Sequence, residues 1–261
     1  MSQAITVFSG PTPHVRRIGV DRPWRWLAAG WEDLRRAPGT GLLYGFAFAL
    51  AGFLLLGGLW MAEMTYLLLP LSAGFMLMGP ILAVGLYEVS RRLAEGVPVD
   101  LLGAFRALER NTSQIVLIAI VLMLFLLAWI RIATLIFALF FSHTPPGLDN
   151  FIVEVFFSVD SIPFLLTGMI TGGILAAAVF AISAVSIPML MDRPDVHVVT
   201  AIVTSIAAVR MNIVPMIVWA ALIVLFSAAG LVVFYLGLIV TLPLVGHATW
   251  HAYRDIVSFE D

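Results

Sequence analysis

The sequence predicts an all-α, polytopic transmembrane helix bundle of six spans, with amphipathic interfacial helices on the cytoplasmic side. Three observations carry this expectation. Of 261 residues, 61% are hydrophobic and only 11% charged, whereas an ordinary soluble domain is roughly 25% charged. So little polar surface cannot solvate a globule of this size. The apolar residues also gather into runs of about 20, the length that crosses a hydrocarbon core of roughly 30 Å. Finally, the basic residues alternate from loop to loop, as they do in a chain that crosses a membrane repeatedly.

Taken in order, residues 1–20 read as a flexible cytoplasmic tail and 21–261 as a single six-span membrane domain. The first four spans are expected near 41–61, 66–89, 115–141 and 162–190, the third interrupted only by Arg131. The first apolar run is too long for a secretory signal and lacks a small-residue cleavage site, so it reads as an uncleaved signal-anchor. The last apolar stretch, Ile213–Gly246, has 34 residues and no charge. As one helix it would be about 51 Å long. It is therefore read as two spans, near 211–228 and 231–251, turning at Ser227–Gly230.

Orientation follows from arginine, which supplies all 14 basic residues. Arg16, Arg17, Arg22, Arg25, Arg35 and Arg36 precede the first span. Arg91, Arg92, Arg106 and Arg110 follow the second, Arg193 and Arg210 follow the fourth, and Arg254 follows the sixth. The intervening loops carry only acids: Glu63 in one, and Asp149, Glu154 and Asp160 in the other. Short cytoplasmic loops are enriched in Lys and Arg, so both termini are expected to be cytoplasmic.

The chain also repeats itself. Pro80 is followed by Tyr87 and Arg91, and Pro243 by Trp250 and Arg254, at matching spacings. A proline-opened amphipathic stretch precedes each odd-numbered span: Pro23–Arg36, Pro98–Arg110 and Pro194–Arg210. In the second of these, Leu101, Leu102, Phe105 and Leu108 recur at helical spacing, which suits a helix lying in the interface. The expected plan is three units of interfacial helix, span, span.

Candidate chemistry is sparse. A net charge of -2 gives no basic footprint for nucleic acid. The absence of cysteine excludes disulfides, thiol nucleophiles and thiolate metal sites. His247, His251 and Asp255 share one helical face, the spacing of a two-histidine metal site. Against a metal stands their position beside Trp250, Tyr253 and Arg254, where amphipathic side chains anchor a helix end or bond to the interfacial helices. The expectation is no metal, no haem and no other cofactor.

Trp24, Trp26 and Trp31 beside the N-terminal arginines read as a membrane anchor. The glycines at 41, 45, 52, 57 and 58 and at 168, 172 and 173 read as close helix packing. Phe151–Val159 is read as lying flat on the outer interface, or as a docking surface. Arg131 lies about 24 Å into its span from Ile115. There it either snorkels to the outer head groups or forms a structural ion pair with Glu63, with Glu154 and Asp160 as substitutes. No phosphate-binding glycine loop, serine–histidine–acid set or intramembrane carboxylate pair is visible, so no catalytic residue is expected and the chain is read as non-enzymatic.

The segments Leu242–Arg254 (LPLVGHATWHAYR) and Asp21–Trp31 (DRPWRWLAAGW) resemble the domain-of-unknown-function 2189 family of predicted bacterial integral membrane proteins. The resemblance implies a bacterial inner-membrane protein. Some members carry a label likening them to cytochrome c oxidase subunit I, a twelve-span protein whose six histidines bind metal. Six spans with no mid-bilayer histidine do not fit a catalytic subunit of that kind. The reading is therefore a non-enzymatic accessory or assembly partner of another membrane complex, a respiratory one among the candidates. The alternative is a small-solute or lipid-handling transporter.

Overall fold

The computed structural model describes residues 12–64, 67–142, 155, 158–233 and 235–259, with the backbone alone at 68, 69, 73 and 75. Strand β1 (Pro13–Val15) leads into α1 (Arg22–Arg36) and α2 (Pro38–Met61), then α3 (Leu68–Leu82) and α4 (Val84–Glu95). Next come α5 (Leu101–Arg106) with a 3-10 turn, Ala107–Glu109, then α6 (Thr112–Phe141), α7 (Ile162–Ser183) and α8 (Ser186–Asp192). The chain finishes with α9 (Val198–Met211), α10 (Ile213–Val232), α11 (Leu238–Ile256) and strand β2 (Val257–Phe259).

This order is a threefold recurrence of one plan. Helices α1, α5 and α9 are the amphipathic pieces, and α2, α6 and α10 are the outgoing spans. The returning spans are α3 with α4, α7 with α8, and α11. Among the described residues, five stretches are long and apolar enough to cross a membrane: Pro38–Met61, Pro70–Glu95, Thr112–Phe141, Val159–Asp192 and Ile213–Val232. The sixth crossing follows from the path of the chain. β1 pairs antiparallel with β2, Val15 opposite Val257. Asn212, at the foot of α10, binds the same end: its side chain accepts from the Ile18 amide at 2.9 Å and donates to the Arg16 carbonyl at 2.9 Å. α10 therefore leaves the face on which β2 ends, and α11, about 28 Å long, must bring the chain back. The structure is an all-α polytopic bundle with six spans.

Two features depart from the sequence reading. Residues 13–18 are not free tail, because Pro13–Val15 are paired with β2 and Ile18 is tied to Asn212. The last turn takes in Val233 and Tyr235–Gly237, later than Ser227–Gly230, since α10 continues to Val232. The physical reason is close approach: a Cβ on Gly237 would lie 2.7 Å from the Gly230 Cα. Gly230 thus serves as a contact inside the helix, while Tyr235 takes the left-handed conformation (φ 62°) that reverses the chain.

Two of the returning spans are broken, and side chains from neighbouring elements repair each break. Pro80 and Pro188 lie close to the breaks; proline removes a ladder donor and crowds the preceding turn. Beyond Pro80, Leu86 N–H donates to the Ala83 carbonyl at 2.9 Å, which releases the Leu82 carbonyl from its usual partner. The Tyr44 hydroxyl on α2 donates to that carbonyl. At the α7–α8 break, Val185 N–H donates to Ser205 Oγ on α9 at 3.2 Å. Backbone polar groups in a membrane must find internal partners, and here they do.

The core is concentrated at the end of the bundle that carries the interfacial helices. There α4, α8 and α11, one from each unit, pack against one another. Leu86, Tyr87, Ile187, Met189, Leu190, Ala248, Tyr253 and Ile256 are buried there. Along α6, by contrast, only Ile115, Ile118, Leu122 and Ile136 are buried. The antiparallel α1 lies on α11 so closely that a Cβ on Gly30 would sit 2.6 Å from the Ala248 amide nitrogen. Gly45 on α2 meets the Ile239 carbonyl in the same way. Of the glycines expected to pack closely, Gly41, Gly45, Gly52 and Gly172 do so, whereas an added Cβ at Gly57, Gly58, Gly168 or Gly173 would meet nothing within 4 Å.

Candidate functional site

The polar chemistry of the described residues gathers where α11 reaches the interface. His247, His251 and Asp255 stand on one face of α11, as their spacing predicts. Each of the three meets different partners. His247 is fully buried, and its Nδ1 lies 2.8 Å from Ser90 Oγ on α4. His251 Nε2 lies 2.7 Å from Asp33 Oδ2 on α1. Asp255 accepts from Arg22 Nε at 2.6 Å and from Trp26 Nε1 at 2.9 Å, both on α1. On the adjoining face, the Tyr253 hydroxyl donates to Asp192 Oδ2 on α8 at 2.7 Å, and Arg254 reaches the same oxygen at 3.1 Å. The end of this third-unit helix is thereby fastened to both of the other units.

This arrangement turns the three metal candidates away from a common point. No group of three His, Asp or Glu among the described residues is placed to hold a metal ion. Nor is it the geometry of a serine hydrolase. Ser90 is 1% exposed, and Asp33 orients His251 while His247 faces the serine. A base in such a set needs its orienting acid on its own second nitrogen, yet His247 Nε2 is buried with no hydrogen-bond partner among the described residues.

Electrostatics at the interface favour the ionised clamp. Burial pushes the Asp255 carboxyl up, but hydrogen bonds from Arg22 and Trp26, with the charges of Arg22 and Arg16, hold it below its ordinary value. The same bond to Asp255 is the largest influence on Arg22 and raises its guanidinium further. A second cluster lies on α4. There the buried Glu88 accepts from Arg91 Nε at 2.7 Å and from Arg92 Nε at 2.8 Å.

The other predicted pair does not form in this structure. Arg131 and Glu63 are both exposed, and among the described residues no ion pair joins them. Glu63 sits in a left-handed turn (φ 56°) after α2. Of the substitutes, Asp160 is exposed and Glu154 lies outside the described residues. So do His143, Asp149 and most of Phe151–Val159.

Sequence reasoning missed the partners. Asp33 and Ser90 sit inside helical runs with no motif around them. Asn111 and Asn212 were missed too, although each falls between an interfacial helix and an outgoing span. Asn111 donates from Nδ2 to the Leu190 and Val196 carbonyls, at 3.3 Å each. It joins the second unit to the loop before α9, as Asn212 joins the third to the N-terminal strand.

Fold and site together define a multi-pass integral membrane protein whose interfacial layer is locked by polar contacts. Residues 68–192 match the domain-of-unknown-function 2189 family model, described as a predicted integral membrane protein. The match spans the second half of the first unit and all of the second. Neither Asp21–Trp31 nor Leu242–Arg254 lies within it. No curated protein and no solved structure matches the chain.

Proposed function

We propose that this protein is a non-enzymatic accessory or assembly partner of another membrane complex. In this reading it resides in a bacterial inner membrane with both termini cytoplasmic. The observation that carries the reading concerns glycines the chain does not use. At Gly57 and Gly58 on α2, and at Gly168 and Gly173 on α7, an added Cβ would meet nothing within 4 Å. Glycine costs a helix about 1 kcal/mol relative to alanine, and small residues on an open face let another helix approach closely. A respiratory complex is the partner class that the family resemblance suggests. The arginine distribution supports the cytoplasmic assignment of the paired termini.

Purification from native membranes in a mild detergent, followed by mass spectrometry of companions, tests this reading. A stoichiometric membrane companion that is lost on Gly57→Leu or Gly168→Leu, with thermal stability unchanged, is the expected result. Absence of any companion, together with solute uptake in vesicles, would overturn it in favour of a transporter. The specific observation on the transporter's side is the buried Nε2 of His247, which has no hydrogen-bond partner among the described residues.

A further inference from the structure

A cleft of roughly 300 Å³ opens between α4 and the α5 segment, lined by Glu88, Arg91, Arg92, Gly103, Arg106 and Arg110. Its four arginines are not equivalent. Arg91 and Arg92 are held by Glu88, and each has a further carboxylate, Glu95 at 2.5 Å and Asp100 at 2.7 Å respectively. Gly103 permits this packing, because a Cβ there would lie 2.3 Å from the nearest Arg92 terminal nitrogen. Arg110 uses its Nε on the Met191 carbonyl at 3.1 Å, leaving its terminal nitrogens for another acceptor. Arg106 is exposed and has no hydrogen-bond or ion-pair partner among the described residues. Glu109 also lines the cleft, and the charge of Arg110 acts on Glu88, so arginines and carboxylates balance in number here; Arg106 and Arg110 stand out by their unused donors and not by surplus charge.

Beside Arg106 on the same short segment, Leu102 and Phe105 are 57% and 54% exposed. Exposed apolar side chains next to unspent guanidinium groups suit a ligand that has both an anionic head and a hydrocarbon tail. Arginine presents a planar fork of donors matched to phosphate oxygens. A free phosphate ion would account for the arginines but not for Leu102 and Phe105. We propose that this cleft binds the phosphate of an anionic phospholipid, with Arg106 and Arg110 as its ligands and the acyl chains against Leu102 and Phe105.

The test uses the full chain, purified in mild detergent, delipidated and titrated with phosphatidylglycerol or phosphatidylcholine under native mass spectrometry. Phosphatidylglycerol is expected to bind more tightly. Each basic residue near an anionic lipid is worth about fivefold. Arg106→Gln, which leaves the Arg110–Met191 bond in place, should therefore weaken phosphatidylglycerol binding about fivefold. The pair Arg106→Gln and Arg110→Gln should weaken it about twenty-five-fold, with phosphatidylcholine binding unchanged. Arg35→Gln, the same charge loss on α1, should leave both lipids unaffected. Equal binding of the two lipids overturns the site, as does an Arg35→Gln effect as large as that of Arg106→Gln. Displacement of the lipid by millimolar inorganic phosphate alone would identify a free-phosphate site and overturn the lipid assignment.

Discussion

His251 Nε2 lies 2.7 Å from the Oδ2 of Asp33, a residue 218 positions earlier in the chain. The carboxylate is nearly buried, at 6% exposure, so the contact fastens the last span to the first interfacial helix at a place water barely reaches. A buried polar group left without its partner costs about 1–3 kcal/mol. His251→Ala should therefore destabilise the protein in detergent by about that amount. Asp33→Asn keeps an acceptor and should cost less. Thermal melts of the two variants settle the order, and equal melting temperatures would remove the pair from any structural role.

Asp255 gives the interface a pH dependence of definite sign. Its carboxyl titrates lower in the folded protein than in the unfolded chain, where about 3.9 is ordinary. A depressed carboxyl contributes stability that is present above the unfolded value and lost as pH falls through the folded one. Wild type should thus melt higher than Asp255→Asn at pH 6, and the gap should narrow below about pH 4. A gap that is constant from pH 7 to pH 3 would show that Asp255 acts only through uncharged hydrogen bonds.

The broken returning spans predict a paired effect. Tyr44→Phe orphans the Leu82 carbonyl and Ser205→Ala orphans the Val185 amide. Each should lower stability by about 1–2 kcal/mol. The sites belong to different units, so the double variant should be close to additive. Chemical denaturation of the three variants in one detergent checks both statements.

The strand pair makes the topology testable by cross-linking, because the native chain has no cysteine. Val15 and Val257 are directly opposed. Arg16 N–H donates to Ile256 O at 2.8 Å, so the neighbouring Val15–Val257 pair is of the non-hydrogen-bonded kind, with Cα atoms about 4.5 Å apart. That separation suits a disulfide. Val15→Cys with Val257→Cys should close within one chain on mild oxidation and change its gel mobility. Single cysteines at Ser2, Glu95 and Asp261 should resist an impermeant thiol reagent in intact cells, and one at Asp149 should react. Labelling at Asp261 from outside would mean that the final stretch crosses only once.

What the sequence determined by itself is what solvent determines. Runs of about 20 apolar residues fit only a bilayer, and the arginine-bearing loops mark one face of it. The three amphipathic stretches, at Pro23, Pro98 and Pro194, were legible because an interfacial helix needs an apolar face and a charged one in local register. The shared face of His247, His251 and Asp255 was legible for the same reason, since helical spacing is local. Tertiary structure decided which groups those residues meet. Asp33, Ser90 and Arg22 are 218, 157 and 233 positions away from them, and no spacing rule reaches across such distances. Placement of the final turn beyond Val232 was also tertiary, because Gly230 is held in the helix by the backbone packed against it. The small sheet had no local signature either. Three-residue strands have too little period to read, and β1 and β2 exist because six crossings return the chain's end to its beginning.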